Sequence, residues 1–354
     1  MRGLRKYLTP FAPDQSGAVS VLFELGGIIV ICDAGGCTGN VCGFDEPRWH
    51  NLRSAVFSAG LRDMDAIMGR DDKLVAELAD AATKIEASFA AVVGTPVPAV
   101  IGTDYRALAR MAERACQLPV ITVDTSGTRL YDDGARKAYR ALFDRFARDT
   151  YLVEQERIGV LGANPLDLSC TDTDAIRAAL PGAVCYGMGS TLDDVIRASS
   201  AERNVVVAPS GLAAAKLLEQ RFGTPYEFLD PRFADGAQDA WLVPNSFANK
   251  RVLVVHQQVT AHSLRQLLLA HGAQSVTCAT WFMQLPELTQ PGDAHLVEED
   301  DFAELVAEGA FDVIIGDPAL WPIIPQFEGE LIDLPHFALS GTLIKGTATL
   351  DGAR

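Results

Sequence analysis

Short runs of β-branched and aliphatic residues recur along this chain, each followed by a stretch with helical periodicity. Ile28-Ile29-Val30-Ile31, Val120-Ile121-Thr122-Val123, Ile158-Gly159-Val160-Leu161 and Val252-Leu253-Val254-Val255 carry no charge. Strands of that kind need cover on both faces, and crossover helices between parallel strands supply it. The pattern predicts an α/β protein built on parallel sheets. In the first unit, helices are expected over 17–25, 72–88, 104–116 and 134–146, with strands at 89–94 and 120–124. A second unit opens at Arg157 and a third at Arg251, each with its own alternation of strands and helices. The expected division is 1–153, 154–249 and 250–354, its second seam the turn-rich Val243-Pro-Asn-Ser-Phe-Ala-Asn-Lys250.

Charge narrows the function. With 46 acidic against 30 basic residues, the formal net charge is −16. Nucleic acid is not an expected partner, because phosphate binding needs clustered Lys and Arg. Arg2, Arg5 and Lys6 form too short a cluster to change that. The apolar run from Ala18 to Cys32 is interrupted by Glu24 and Gly26-Gly27. It falls short of the roughly 20 residues a membrane span needs, so no membrane segment is expected. Pro10, Pro13 and Asp14 break up any secretory pattern. The reading is a cytoplasmic protein, in which seven cysteines are reduced thiols or metal ligands, not disulfides. No P-loop is present, since Gly341-Thr-Leu-Ile-Lys345-Gly346 has the wrong spacing, and no ATP is expected on this chain.

The residues that most invite chemistry follow the first apolar run: Cys32-Asp-Ala-Gly35-Gly36-Cys37-Thr38-Gly39-Asn40-Val-Cys42-Gly43. Three thiols stand on a glycine-rich loop at the carboxyl end of a strand, where open α/β sheets bind ligands. Their spacing, four residues between successive cysteines, is not a ferredoxin pattern. Two readings stay open: ligands to a metal cluster, or small apolar residues in a tight turn. Asp124-Thr-Ser-Gly127-Thr128 has two readings as well, an anion-binding turn or a simple cap. His256 ends a strand and His336 lies near the carboxyl end, so either can line a cleft between units.

Several segments, in order, resemble the nitrogenase component 1 superfamily. They are Gly35-Gly36-Cys37, Asp63-Met-Asp-Ala-Ile-Met-Gly-Arg-Asp-Asp-Lys-Leu74, Gly94-Thr-Pro-Val-Pro-Ala-Val-Ile-Gly-Thr-Asp104, Pro119-Val-Ile-Thr-Val, Gly159-Val-Leu-Gly-Ala-Asn-Pro-Leu-Asp167 and Gly223-Thr-Pro-Tyr226. The resemblance implies three Rossmann-like parallel-sheet domains around a central cleft. It also implies a homodimer with an iron–sulfur cluster, a [4Fe–4S] type, at its interface. An ATP-dependent iron protein or another electron donor would supply electrons for a small-molecule substrate. Cys37 matches the family's interface cysteine. Of the family's other two cluster cysteines, one falls near Phe11 to Pro13 and one at Thr95, and neither is a cysteine here. Cys32, Cys42 and the Asp14 carboxylate are the candidate substitutes. Ala208 stands where nitrogenase has the cysteine of its active-site cofactor, so a true nitrogenase is not expected. The implied function is an oxidoreductase component acting on an organic substrate. The alternative is a non-enzymatic scaffold or binding protein on the same fold.

Overall fold

The computed structural model describes residues 5–50, 52, 54–234 and 247–344. Residues 243–246 of the expected second seam, together with Arg2, Lys345 and Gly346, lie outside them. Three parallel sheets carry the fold. The first contains β1 (Gly27–Ile31), β2 (Ala55–Ser58), β3 (Phe89–Val93) and β4 (Val120–Val123) in the order β2-β1-β3-β4. The second repeats that order with β5 (Glu154–Leu161), β6 (Ala183–Cys185), β7 (Ala201–Val206) and β8 (Tyr226–Phe228), as β6-β5-β7-β8. In the third, β9 (Arg251–Val255), β10 (Ser275–Thr280), β11 (Ala294–His295), β12 (Val313–Gly316) and β13 (Glu330–Asp333) run β11-β10-β9-β12-β13. Every strand pair in the three sheets is parallel.

Central strands are apolar on both faces for the reason the sequence suggests. β1 and β3 are wholly buried, with Ile29 opposite Ala91 and Ile31 opposite Val93. Side chains alternate, so Ile29 and Ile31 enter one core while Ile28 and Val30 enter another. In each sheet the strand order reverses about a central pair, β1/β3, β5/β7 and β9/β12. Above the carboxyl ends of such a pair lies the crevice that doubly wound folds use for ligands.

The helix Asp14–Leu22 is buried along its whole length and lies against the helix Tyr131–Phe146. Two glycines permit that approach. A Cβ on Gly17 would sit 1.8 Å from the Tyr131 carbonyl oxygen, and one on Gly134 1.7 Å from that of Asp14. The first core runs without a break from Ile31 and Tyr139 into Leu161, Tyr186 and Val206, so the units built on the first and second sheets share one interior. A separate cluster joins the third domain to Leu8, Phe11, Tyr131 and Leu166.

Two helices differ from the periodicity reading in their starts. One begins at Asp14, three residues before Gly17, and the other at Tyr131, not Gly134. Among the described residues, no helix is long and apolar enough to cross a membrane.

Candidate functional site

The cysteine loop is built on the carboxyl end of β1. Cys32 continues the strand's alternation and buries its thiol with Val30, Leu74, Leu78 and Leu108. At Gly35 φ reaches +117°, a conformation open to glycine. The chain then reverses into the short helix Gly36–Asn40 and a π-helical turn, Val41–Asp45. This turn carries Cys37 and Cys42 to the opposite side, where both are half-buried against the core of the first and second domains. Cys32 is therefore separated from the other two by the sheet.

Carboxylates hold the loop at both ends. Asp33 accepts from Thr38 N at 2.8 Å, Thr38 Oγ1 at 2.9 Å and Ser58 Oγ at 2.6 Å. Asp45 accepts from Ser16 Oγ at 2.6 Å and Asn40 Nδ2 at 2.7 Å. Just beyond, the fully buried Arg48 donates to Glu46, to Glu24 at 2.7 Å, to the Ser20 carbonyl at 2.6 Å and to the Gly187 carbonyl at 2.9 Å. It thus ties the loop to the second domain. Burial, with Asp33 adding negative charge, pushes all three thiols up, Cys32 to about 12. A protonated thiol is a poor nucleophile, and a bound metal reverses that balance.

The other positions named by the resemblance converge on the same end of the sheet but carry structural roles. Thr95, fully buried, donates to the Cys32 carbonyl at 2.7 Å. Phe11 packs on Trp281 and Phe282. Asp14 accepts from Gly127 N at 2.7 Å, Ser126 N at 2.8 Å and Ser126 Oγ at 3.3 Å. The Asp124–Thr128 turn is thus an anion-binding turn whose anion is the protein's own Asp14. Among the described residues, no three His, Cys, Asp or Glu side chains gather as a metal site within one chain.

A second centre, for which sequence reasoning found only the histidines, lies where the three domains meet. Tyr131 Oη is 2.7 Å from Asp167 Oδ1 and 3.2 Å from His336 Nε2. Asn164 donates to Asp167 at 2.6 Å. His336 stacks on Phe282 with centroids 4.4 Å apart and meets the His256 ring edge-on at 4.5 Å. Nearby, Arg232 pairs with Asp230 at 2.7 Å, and Thr260 donates to the same carboxylate. Burial pushes Asp167 up to about 7, although the Tyr131 and Asn164 hydrogen bonds pull the other way. It pushes His256 down to about 4, and His336 well below its ordinary value. Perturbed groups of this kind mark functional centres more often than chance. The sequence offered one sign of Asp167: Asn164-Pro165 at a strand end, where Asn164 caps the turn that presents it.

Comparison with known proteins agrees with this architecture. The sequence model of the nitrogenase component 1 type oxidoreductases matches residues 16–243. The nitrogenase iron–molybdenum cofactor biosynthesis protein NifE of Clostridium pasteurianum is 29% identical over 174 residues. That stretch is 48% of this chain and 38% of the relative, so the likeness spans well under two thirds of NifE. A solved structure of nitrogenase Cp1 at pH 6.5 superposes with a TM-score of 0.67 at 12% identity, covering 99% of this chain and 89% of that one. Another, of nitrogenase Cp1 at pH 5, gives 0.59 at 17% identity over 88% and 73%. At those identities the structures speak for the fold alone. The family match covers more than half of the sequence, and the chain belongs to the nitrogenase component 1 type oxidoreductases.

Proposed function

We propose that this chain works as a homodimeric, nitrogenase-like electron-transfer component that holds an iron–sulfur cluster between Cys37 and Cys42 of two copies. The observation that carries the reading is the turn after Gly35, which places these two thiols, half-buried, on one side of the sheet. Two copies then offer four thiolates, the donor set of [4Fe–4S] and [2Fe–2S] clusters. Cys32, sealed on the other side, and Asp14, saturated by the Ser126–Gly127 turn, are poor ligands by comparison. When bound, the cluster supplies one-electron chemistry. The protein's own part is to fix the loop through Asp33, Asp45 and Arg48 and to exclude water from it.

Exposed apolar side chains support a second copy as the cover. Phe44 is 77% exposed, and Met64, Ile67, Met68, Val100 and Ile101 project from the neighbouring helices Asp63–Met68 and Pro96–Ile101. Clusters of this kind are rarely left open on a monomer. Electrons would come from a separate ATP-hydrolysing protein or another donor, and an organic substrate would be reduced at the domain seam.

A second reading, a scaffold carrying a cluster or cofactor precursor, is favoured by one observation. The seam is filled by its own buried side chains, Tyr131, Phe282 and His336 among them. The role of the relative NifE, cofactor biosynthesis, points the same way.

Anaerobic purification with iron, sulfide and EPR analysis, and mass measurement in solution, tests the proposal. Iron and sulfide in a dimer are expected, lost in Cys37→Ala and Cys42→Ala but kept in Cys32→Ala. No iron after reconstitution, with Cys37→Ala matching wild type, overturns it. Oxidation of the reduced cluster by an organic acceptor then favours the reductase, and transfer of the intact cluster to an apo-acceptor protein favours the scaffold.

A further inference from the structure

A single hydroxyl joins the three domains. Tyr131 begins a helix of the first domain, Asp167 lies in the turn Pro165–Leu168 of the second, and His336 caps the helix Phe337–Ser340 of the third. All three side chains are 0–1% exposed. A phenol donates one proton, so the direction of this string follows Asp167. With Asp167 ionised, Tyr131 donates to it and accepts from His336 Nε2–H. With Asp167 protonated, the carboxyl donates to Tyr131, which donates to a bare Nε2. Either string closes with a neutral His336. Nδ1 of His336 and Nδ1 of His256 have no hydrogen-bond partner among the described residues. With Asp167 ionised, a second proton on either ring would leave a buried Nδ1–H unpaired, which is costly; with Asp167 protonated, the one proton of His336 already sits on that unpaired Nδ1.

The first and second domains share one core, whereas the third keeps its own and meets them through separate clusters, one around Phe11, Tyr131 and Leu166, another where Leu212 packs on Val259, Leu285 and Leu288, and a contact from Phe233. The third domain is therefore the body that this string restrains. We propose that Tyr131 is a latch that holds the third domain closed on the other two, and that acid releases it.

The charged and titratable groups facing the latch come from all three domains. They are Asp132 from the first, Arg232 and Asp230 from the second, and His256 and Asp317 from the third, Asp317 accepting from His336 N at 2.7 Å. Arg232 is held by Asp230 and by the Leu168 carbonyl, and its charge disfavours protonation of both histidines. The sign follows from the shifts. His256, at about 4 when buried, and His336, lower than its ordinary 6.5, take up two protons on opening below pH 6.5. Asp167, at about 7 when buried and 3.8 when free, gives up one. Just below pH 6.5 the two histidines outweigh Asp167, so the open fraction grows as pH falls; Asp132 and Asp317, both raised by burial, oppose this at the acid end. Near pH 7 the uptake by the two histidines and the release by Asp167 offset one another, and above 7 the dependence is flat. Closure is tightest at about pH 7.

Hydrogen exchange on the full chain, normalised for the intrinsic amide rate, tests this between pH 5 and 8. The reporters are amides that cross the seam: Ala12 N to the Ala338 carbonyl, Phe337 N to Ser169 Oγ, and Ile344 N to the Ser169 carbonyl. Their exchange should rise several-fold as pH falls from about 6.5 to about 5 while β1 and β3 stay protected. Tyr131→Phe keeps the ring on Phe282, at 5.1 Å, and should open the seam at pH 7. Seam exchange that ignores pH, or a Tyr131→Phe effect spread evenly over all three sheets, overturns the latch. The wild-type pH series decides alone if the variant does not fold.

Discussion

Replacing Arg48 by Met tests whether the cysteine loop depends on a buried charge cluster. The guanidinium is fully buried and donates to Glu46, Glu24, Ser20 and the Gly187 carbonyl. Met retains much of the volume but leaves the Glu46 and Glu24 carboxylates without their cation, with side chains 2% and 15% exposed. Breaking a buried pair from one side costs about 3–5 kcal/mol, a large part of the roughly 5–15 kcal/mol that holds a domain together. The triple variant Arg48→Met, Glu46→Gln, Glu24→Gln removes both stranded charges and should recover at least half of the loss. Urea unfolding followed by circular dichroism reports the whole chain. Trp49, one of four tryptophans in the chain, packs on Phe23 with centroids 5.9 Å apart, so fluorescence of a variant that keeps Trp49 alone reports the loop. A single variant within about 1 kcal/mol of wild type, the scale of an exposed pair, refutes the reasoning. So does a triple variant no more stable than the single one.

Gly134→Ala should cost about 3 kcal/mol, since the new methyl meets the Asp14 carbonyl oxygen, partly offset by about 1 kcal/mol of helix propensity. Gly39→Ala, with nothing within 4 Å of its Cβ, should cost nothing in the same denaturation assay. Glu299 accepts from the backbone of Lys6, Tyr7 and Leu8, and those bonds hold its carboxyl below the usual range despite burial. That contribution is present above pH 4.5 and lost as pH falls through the lowered value. Hydrogen exchange at residues 6–8 should rise in strong acid, and in Glu299→Gln at neutral pH; unchanged exchange in the variant contradicts the clamp. In the native metal-free chain, iodoacetamide should reach Cys37 and Cys42 before Cys32, Cys185 and Cys278, as mapped by mass spectrometry. Early labelling of Cys32 would contradict its placement beneath the loop.

Central strands were legible because burial on both faces leaves a plain mark in composition. β1, β3 and β9 all fall where the apolar runs place them. β2 went unseen because it is an edge strand that places Phe57, 40% exposed, outward. Its signal is a pairing with β1, from Ile28 opposite Ala55 to Ile31 opposite Ser58, and pairing leaves no period in a single sequence. The early helix starts have a related cause. Asp14 and Tyr131 extend their helices because Asp14 bonds the Ser126–Gly127 turn and Tyr131 is drawn into the third domain's cluster.

The candidate site divides along the same line between local and distant information. The loop, its glycines and its thiols could be read from twelve consecutive residues. The separation of Cys32 from the others was also implicit there, because Cys32 shares the parity of Ile28 and Val30, which face the second layer. What no local pattern contains is the company each residue keeps after folding. Asp167 and His336 lie 36 and 205 positions from the tyrosine they both contact. Asp14 looked like a spare carboxylate until the structure set it against Ser126 and Gly127, 112 and 113 residues away. A carboxylate becomes a ligand, a cap or a latch according to the donors that reach it, and in this fold those donors come from other strands and other domains. Cys37 and Cys42 remain the candidate ligands because the loop presents them at a surface that its own side chains do not finish covering.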